Sequence, residues 1–327
     1  MSDSSPGTRR LALPAVLAVL TVGAALAPAG APASAHPGAR AAAAVAGPHE
    51  YGCEILPASN PINQDISHAP ADPSSARYIA SIGIGGHLHP DFGSNPGYGI
   101  PFSVVGAQQA KVPITFTEYG EESDPGPYPV PPAAPIEGAG EAGDRHVIVL
   151  QRGSCRLYEL YSASRQGRGW DAGSGAVFNL RSNALRPEGW TSADAAGLPI
   201  FPLLVRYPEV RSGRIDHALR VTVQCTQRGY IHPATHYASG SSDPSLPPMG
   251  LRLRLNARYS LAGFHGESLI VLRALKRYGL IVADNGSSWY ITGAPDPRWN
   301  VADLEQIKRV PGAAFEAVRS GPIRHKG

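Results

Sequence analysis

Cysteine is scarce in this chain, three in 327 residues. Cys53, Cys155 and Cys225 fall in no C-x-x-C or C-x-H pattern, which argues against a structural zinc site. Neither charge is in excess: the formal net charge is +3 with both signs mixed along the sequence, so neither a nucleic acid nor a membrane surface is implied as a partner. Beyond about Ala29, nothing approaches the roughly 18 apolar residues of a membrane span.

Several catalytic signatures are also missing. His232-Pro-Ala-Thr-His236 has the i, i+4 histidine spacing of a zinc helix, but it lacks the glutamate of H-E-x-x-H and carries a proline inside. Ser174 sits between adjacent glycines rather than in G-x-S-x-G, which weakens a nucleophile elbow. The acidic loop after Glu118 lacks the calcium pattern D-x-D-x-D-G. No cofactor is expected.

What the chain does carry begins with Arg9 and Arg10, followed by an apolar run from Leu11 to about Ala29 and the triplet Ala33-Ser-Ala35. That is the layout of a secretory signal peptide over 1–35, and Thr8-Arg-Arg-Leu11 touches the twin-arginine pattern. Residues 36–47 are rich in Ala, Pro and Gly with nothing to bury and read as a disordered leader. A chain cut after Ala35 would open on His36, and an N-terminal histidine can bind copper as in lytic polysaccharide monooxygenases; a loose tail offers no such fixed site. Residues 48–327 read as a single globular domain, located outside the cell once exported. Exported cysteines tend to pair, and three cysteines permit three different single disulfides.

Glycine and proline number 37 and 32, about a fifth of the chain, which favours turns and short strands. Helix signals are few: Asp72 to Gly83, with proline near the start and glycine as the stop; a turn after Trp190; a stretch at Leu203 to Val210; Glu267 to Tyr278, with an apolar stripe and Gly279 behind it; and Val301 to Lys308. Strand-like runs are more numerous, at 100–105, 112–119, 146–151, 156–161, 176–180, 215–223, 251–256, 280–283 and 289–292. Leu251, Leu253 and Leu255 alternate with Arg252, Arg254 and Asn256, as in a strand with one wet face. Strands do not alternate regularly with helices, so the expectation is a mainly β, α+β fold: an antiparallel sandwich or barrel-like core with three or four peripheral helices.

Candidate chemistry lies in four places. The acidic loop holds Glu122 and Asp124 among four carboxylates, and clustered carboxylates repel, raising some pKa values as acid/base cleavage of glycosidic bonds requires. Asp144-Arg-His146 and Asp216-His217 open strands, which makes His146 and His217 proton carriers and Arg220 a clamp for acidic substrate groups. Adjacent residues on a strand point to opposite faces, so an Asp and a His act together there only where the backbone bends. His87, His89 and Asp91 are weak metal candidates. Tyr119, Tyr128, Trp289 and Tyr290 offer stacking surfaces, and His236 could join a site near His217.

Asn63-Gln-Asp-Ile, Glu122-Ser-Asp-Pro-Gly-Pro-Tyr, Gly143-Asp-Arg-His, Asn183-Ala-Leu-Arg-Pro and Asp284-Asn-Gly-Ser-Ser-Trp-Tyr resemble a family of exported, uncharacterised bacterial proteins. The resemblance spans most of the chain after the signal and carries over no catalytic residue. Export, composition and local clustering together lead to a secreted carbohydrate-active enzyme, a glycoside hydrolase or polysaccharide lyase, cleaving an extracellular polysaccharide or oligosaccharide. A non-catalytic secreted carbohydrate- or envelope-binding protein and a metal-dependent secreted hydrolase are the alternatives.

Overall fold

The strongest helix signal forms α3, Gly266–Arg277. Its apolar stripe buries Val271, Leu272, Ala274 and Leu275, while Lys276 and Arg277 complement the dipole at its last turn. At its start the carboxylate of Asp303 accepts from the Glu267 and Ser268 amides, satisfying donors that have no partner inside the helix. Gly279 ends it for two reasons: its φ is +70, and a Cβ there would lie 2.1 Å from the Leu253 carbonyl oxygen.

In a computed structural model, residues 47–141 and 143–326 are described; the expected signal peptide, 1–35, and nearly all of the leader lie outside the described residues. Val45 to Gly327 cluster as one unit. Three further α-helices are present among the described residues: α1, Ser75–Ile82, α2, Tyr207–Ser212, and α4, Val301–Leu304, which continues as a 3-10 helix, Glu305–Arg309. No helix forms after Trp190, where the chain runs through irregular turns. Among the described residues no helix is long and apolar enough to cross a membrane.

A six-stranded sheet has the order Phe315–Ala317, Arg252–Leu255, Leu280–Asn285, Leu219–Val223, Tyr290–Thr292, His89–Asp91. A four-stranded sheet has the order Ser174–Asn179, Arg156–Tyr161, Val147–Gln151, Phe102–Val105. Every residue of Val147–Gln151 is buried, because successive side chains enter different cores. Ile148 and Leu150 join Leu157 in the large core with Leu219, Val221 and Ile281. Val147 and Val149 face Tyr128, Tyr158 and Trp170 in a smaller one, beside a three-stranded sheet of Ile114–Phe116, Gly169–Ala172 and Ser164–Gln166.

The fold is thus mixed α+β, but the antiparallel sandwich or barrel is not what forms. Leu219–Val223 pairs in parallel with Leu280–Asn285, and Phe102–Val105 with Val147–Gln151; no barrel closes among the described residues. Parallel neighbours need a long crossover, and the segment from Val223 to Leu280 supplies one that contains α3. The unbroken apolar run Leu280-Ile-Val-Ala is what a strand covered on both faces looks like. Nor is Arg252–Leu255 wet on one face: all four residues are buried. Arg252 donates to the carbonyls of Pro61 and Tyr278, and Arg254 pairs with Glu316 at 2.8 Å, so these guanidinium groups keep acceptors inside the protein.

Of the three pairings open to the cysteines, Cys53–Cys155 is formed, with Cα atoms 5.5 Å apart and a sequence separation of 102. Cys225 is free and exposed.

Candidate functional site

Neighbouring strands of the six-stranded sheet bring together Asp284, Arg220 and Thr292. Strict alternation would put Asp284 on the face opposite Arg220, since Arg220 is in register with Ile281. A bulge between Val221 and Thr222 changes this: Val221 pairs with Val282, but Thr222 pairs with Asp284. A bulge re-aims a side chain. As a result, Arg220 Nη2 donates to Asp284 Oδ2 at 2.8 Å, and Nη1 donates to Thr292 Oγ1 at 3.0 Å.

The same guanidinium forms a fork with Asp194, Nε and Nη2 each donating at 3.0 Å. Asp194 is fully buried. It is carried by the irregular segment after Trp190, which is held by Ser192: Ser192 Oγ accepts from the Asp194 amide at 2.9 Å and donates to the Leu198 carbonyl at 2.7 Å. Gly197 lets this segment close on Thr235; its φ is +74, and a Cβ would meet Thr235 Oγ1 at 2.1 Å.

The four-stranded sheet faces this row with His146 and Glu159. His146 Nδ1 lies 2.6 Å from Glu137 Oε2, and Nε2 lies 2.9 Å from the Ala193 carbonyl oxygen. Both neighbours are acceptors, so the ring is held as a double donor, the imidazolium form. Burial alone would discharge it, yet Glu137 outweighs burial and the pKa rises to about 9. Among the described residues no ion pair joins Glu159; its carboxylate accepts from the Ile200 and Phe201 amides at 2.9 Å. Burial lifts it to about 7 against those two bonds.

Between these layers opens a cleft of about 270 Å³ whose lining includes Tyr119, Asp144, Tyr161, His236, Tyr237 and Asp284. Burial lifts Asp284 to about 6; Arg220 opposes this, and the negative charges of Asp194 and Asp144 reinforce it. The cause is visible in the geometry: one guanidinium is shared by two carboxylates. Asp144, by contrast, is exposed. Arg145 takes a left-handed φ of 51, the bend that the Asp-Arg-His segment needs, and ligating atoms of Glu137, Asp144 and His146 come within 4.8 Å of one another. That trio could surround a metal ion, but the hydrogen bonds on both His146 nitrogens oppose ligation by the ring.

The site candidates read from the sequence fare unevenly. His146 and His236 reach the site, His236 by donating from Nδ1 to the Ala195 carbonyl at 2.8 Å and stacking on Tyr237. Arg220 is there too, but it is buried and engaged by Asp194, Asp284 and Thr292, so it positions carboxylates rather than clamping an acidic substrate. His217 lies elsewhere, buried with Arg206 and Glu209. Glu122 accepts from the Thr191 amide at 2.8 Å, and Asp124 pairs with Arg186 and accepts from the Val177 amide at 2.9 Å; these bonds fix the acidic loop, and neither carboxylate lines the cleft.

Tyr128 and Trp289 are not stacking surfaces: both are fully buried, donating to the Asp124 and Gly83 carbonyls. His89 stacks on Tyr290, with ring centroids 4.1 Å apart, and its Nε2 meets the Tyr98 hydroxyl, while His87 is exposed and bridged to Pro311. With Asp91 they do not form a metal-holding group among the described residues. Asp194, Asp284, Glu137 and Glu159 were not singled out, because their partners lie 26 to 64 positions away for Asp194 and Asp284 and no local motif marks such pairs.

Comparison with protein-family models, with curated proteins and with solved structures returned no match, so the functional argument is carried by the geometry of the cleft.

Proposed function

We propose that the cleft is the active site of a secreted carbohydrate-active enzyme that cleaves glycosidic bonds by general acid/base catalysis. The observation that carries this reading is a carboxyl of raised pKa, Asp284, on the wall of a cleft that also holds the exposed carboxylate of Asp144. Two carboxyl groups kept in different protonation states by their surroundings are what glycoside cleavage requires. Asp284, protonated below about pH 6, gives its proton to the glycosidic oxygen as the bond to the anomeric carbon breaks. Asp144, exposed on the same wall, takes the proton of the water that attacks that carbon. Arg220 and Asp194 hold Asp284 in place, and His146 with Glu137 lies beside Asp144. The Tyr119 and Tyr161 rings supply flat surfaces for sugars.

Incubation of the purified protein with neutral, acidic and amino polysaccharides, read by mass spectrometry, tests this. New oligosaccharides that disappear in Asp284→Asn support the reading. Retention of a polymer without products, unchanged in Asp284→Asn, would establish a binding protein instead. Turnover that needs an added divalent ion and is lost on Asp144→Asn but kept on Asp284→Asn would favour the metal-dependent hydrolase.

A further inference from the structure

The lining of the cleft holds Asp144 and Asp284 but no lysine or arginine among the described residues. Behind the lining, Arg220 has donors engaged by Asp194, Asp284 and Thr292, the imidazolium of His146 is matched by Glu137, and outside it Arg228 rests on the Tyr237 ring and donates from Nε to its hydroxyl at 3.0 Å. A second carboxylate reaches the rim: a Cβ at Gly173 would lie 2.9 Å from Tyr161 Cδ1 and 3.1 Å from Glu118 Cδ, so the absent side chain leaves room for the Glu118 carboxylate beside the Tyr161 ring. Burial, and then the charges of Asp144 and Glu118, raise the Tyr161 hydroxyl pKa, in keeping with a negative potential along this wall.

From the carboxylates, the aromatic walls and a lining without lysine or arginine among the described residues, we infer that the cleft selects a polysaccharide bearing protonated amines, a polymer of 2-amino-2-deoxy sugars, and rejects polyuronates. This rests on the reading of the cleft as the substrate site. An ammonium group gains from carboxylates at close range and from the faces of tyrosine rings. A uronate meets Asp144 and Glu118 with like charge and finds no arginine among the described lining residues, which is the discrimination by repulsion that specific sites use. The charge of the whole molecule does not produce this preference, because the chain is net positive at +3.

The test measures retention and cleavage of a deacetylated glucosamine polymer, its N-acetylated counterpart and polygalacturonate, with the intact protein and with Glu118→Gln. Expected is retention of the amine polymer about five- to tenfold stronger than of the acetylated one, weakened by salt. Polygalacturonate is neither held nor cut, and the preference narrows in Glu118→Gln. Equal handling of the first two polymers, or a preference for polygalacturonate, overturns the charge selection even if products form. Selective retention of the amine polymer with no cleavage of anything upholds it and instead sinks the enzymatic reading.

Discussion

Arg220 reaches Asp194 from one strand position and Asp284 from the same guanidinium, with the fork at 3.0 Å and the single bond at 2.8 Å, so one positive charge serves two carboxylates. Burial is what raises the pKa of Asp284, and a guanidinium shared with Asp194 offsets it only in part. The proton donor is therefore expected to fail as pH rises through about 6: kcat/KM should fall toward tenfold per pH unit above that value. Asp194→Asn, which takes away the competing negative charge, should move this limb to lower pH. A pH–rate profile of the two proteins decides it, and an unchanged limb would remove Asp284 from the role of acid.

His146 makes the opposite demand. Its folded pKa of about 9 exceeds the unfolded value of about 6.5, so its contribution to stability is complete below about pH 6.5 and is lost as pH rises through 9. Glu137, held low by His146 against the effect of burial, accounts for loss of the same pair in acid. Denaturant melts should show a decline on the order of 3 kcal/mol between pH 6.5 and 9, absent in His146→Gln. A ring that titrates near 6.5 by NMR would contradict the double-donor state.

How far could this have been read in advance? The α1 and α3 helices announce themselves, since an apolar stripe followed by glycine is local information, and so does Arg156–Tyr161. The parallel pairings do not, because register between strands more than forty residues apart depends on packing that no short window contains. The site divides in the same way. His146 and Arg220 stand out as charged residues opening apolar strands, whereas Asp194 lies in a segment read as a small helical turn. Glu122 and Asp124 attract attention by clustering, but what sets their role is the set of amides and the arginine that converge on them from positions 177 to 191.

Glu159 gives a test of burial alone. As an acid whose folded pKa is raised to about 7, it favours folding in its neutral form, and the advantage is lost as pH rises from its unfolded value through 7. Glu159→Gln keeps an oxygen for the Ile200 and Phe201 amides without the charge. At pH 8 it is expected to be more stable than the parent by about 2 kcal/mol, with little difference at pH 5. A loss of stability at both pH values would mean that the carboxylate charge itself is required.

The Arg206, Glu209 and His217 cluster is structural. Arg206 Nη2 pairs with Glu209 Oε1 at 2.8 Å, and His217 Nε2 lies 3.1 Å from the same oxygen. Glu209→Ala, which strands a buried guanidinium, should cost about 3–5 kcal/mol, measured by urea unfolding. His217→Gln should leave turnover intact; a hundredfold fall in kcat with an unaltered melt would return His217 to the catalytic set.

The disulfide closes a span of 102 residues, and a loop of that length corresponds to about 4–5 kcal/mol of restricted unfolded-state entropy. Cys53→Ser with Cys155→Ser, or reduction of the parent, should lower the melting temperature by several degrees. Equal melting of oxidised and reduced protein would show the bond to be dispensable.

The bulge opposite Thr222 has an implication for how this region tolerates change. Between Val282 and Asp284 the strand holds one residue more than its partner, and that residue sets the phase of everything after it. Ala283 could be exchanged for another small residue with modest effect. Its deletion would take out the extra residue and leave Asp284 opposite Thr222, still on the Arg220 face, whereas drawing Ala283 into regular pairing with Thr222 would carry Asp284 on to Val223 and turn it away from the guanidinium. The phase of the strand at Thr222, more than the identity of the small side chain at 283, is what the cleft has to preserve: a straightened strand of unchanged length would lose the acid and leave the core intact.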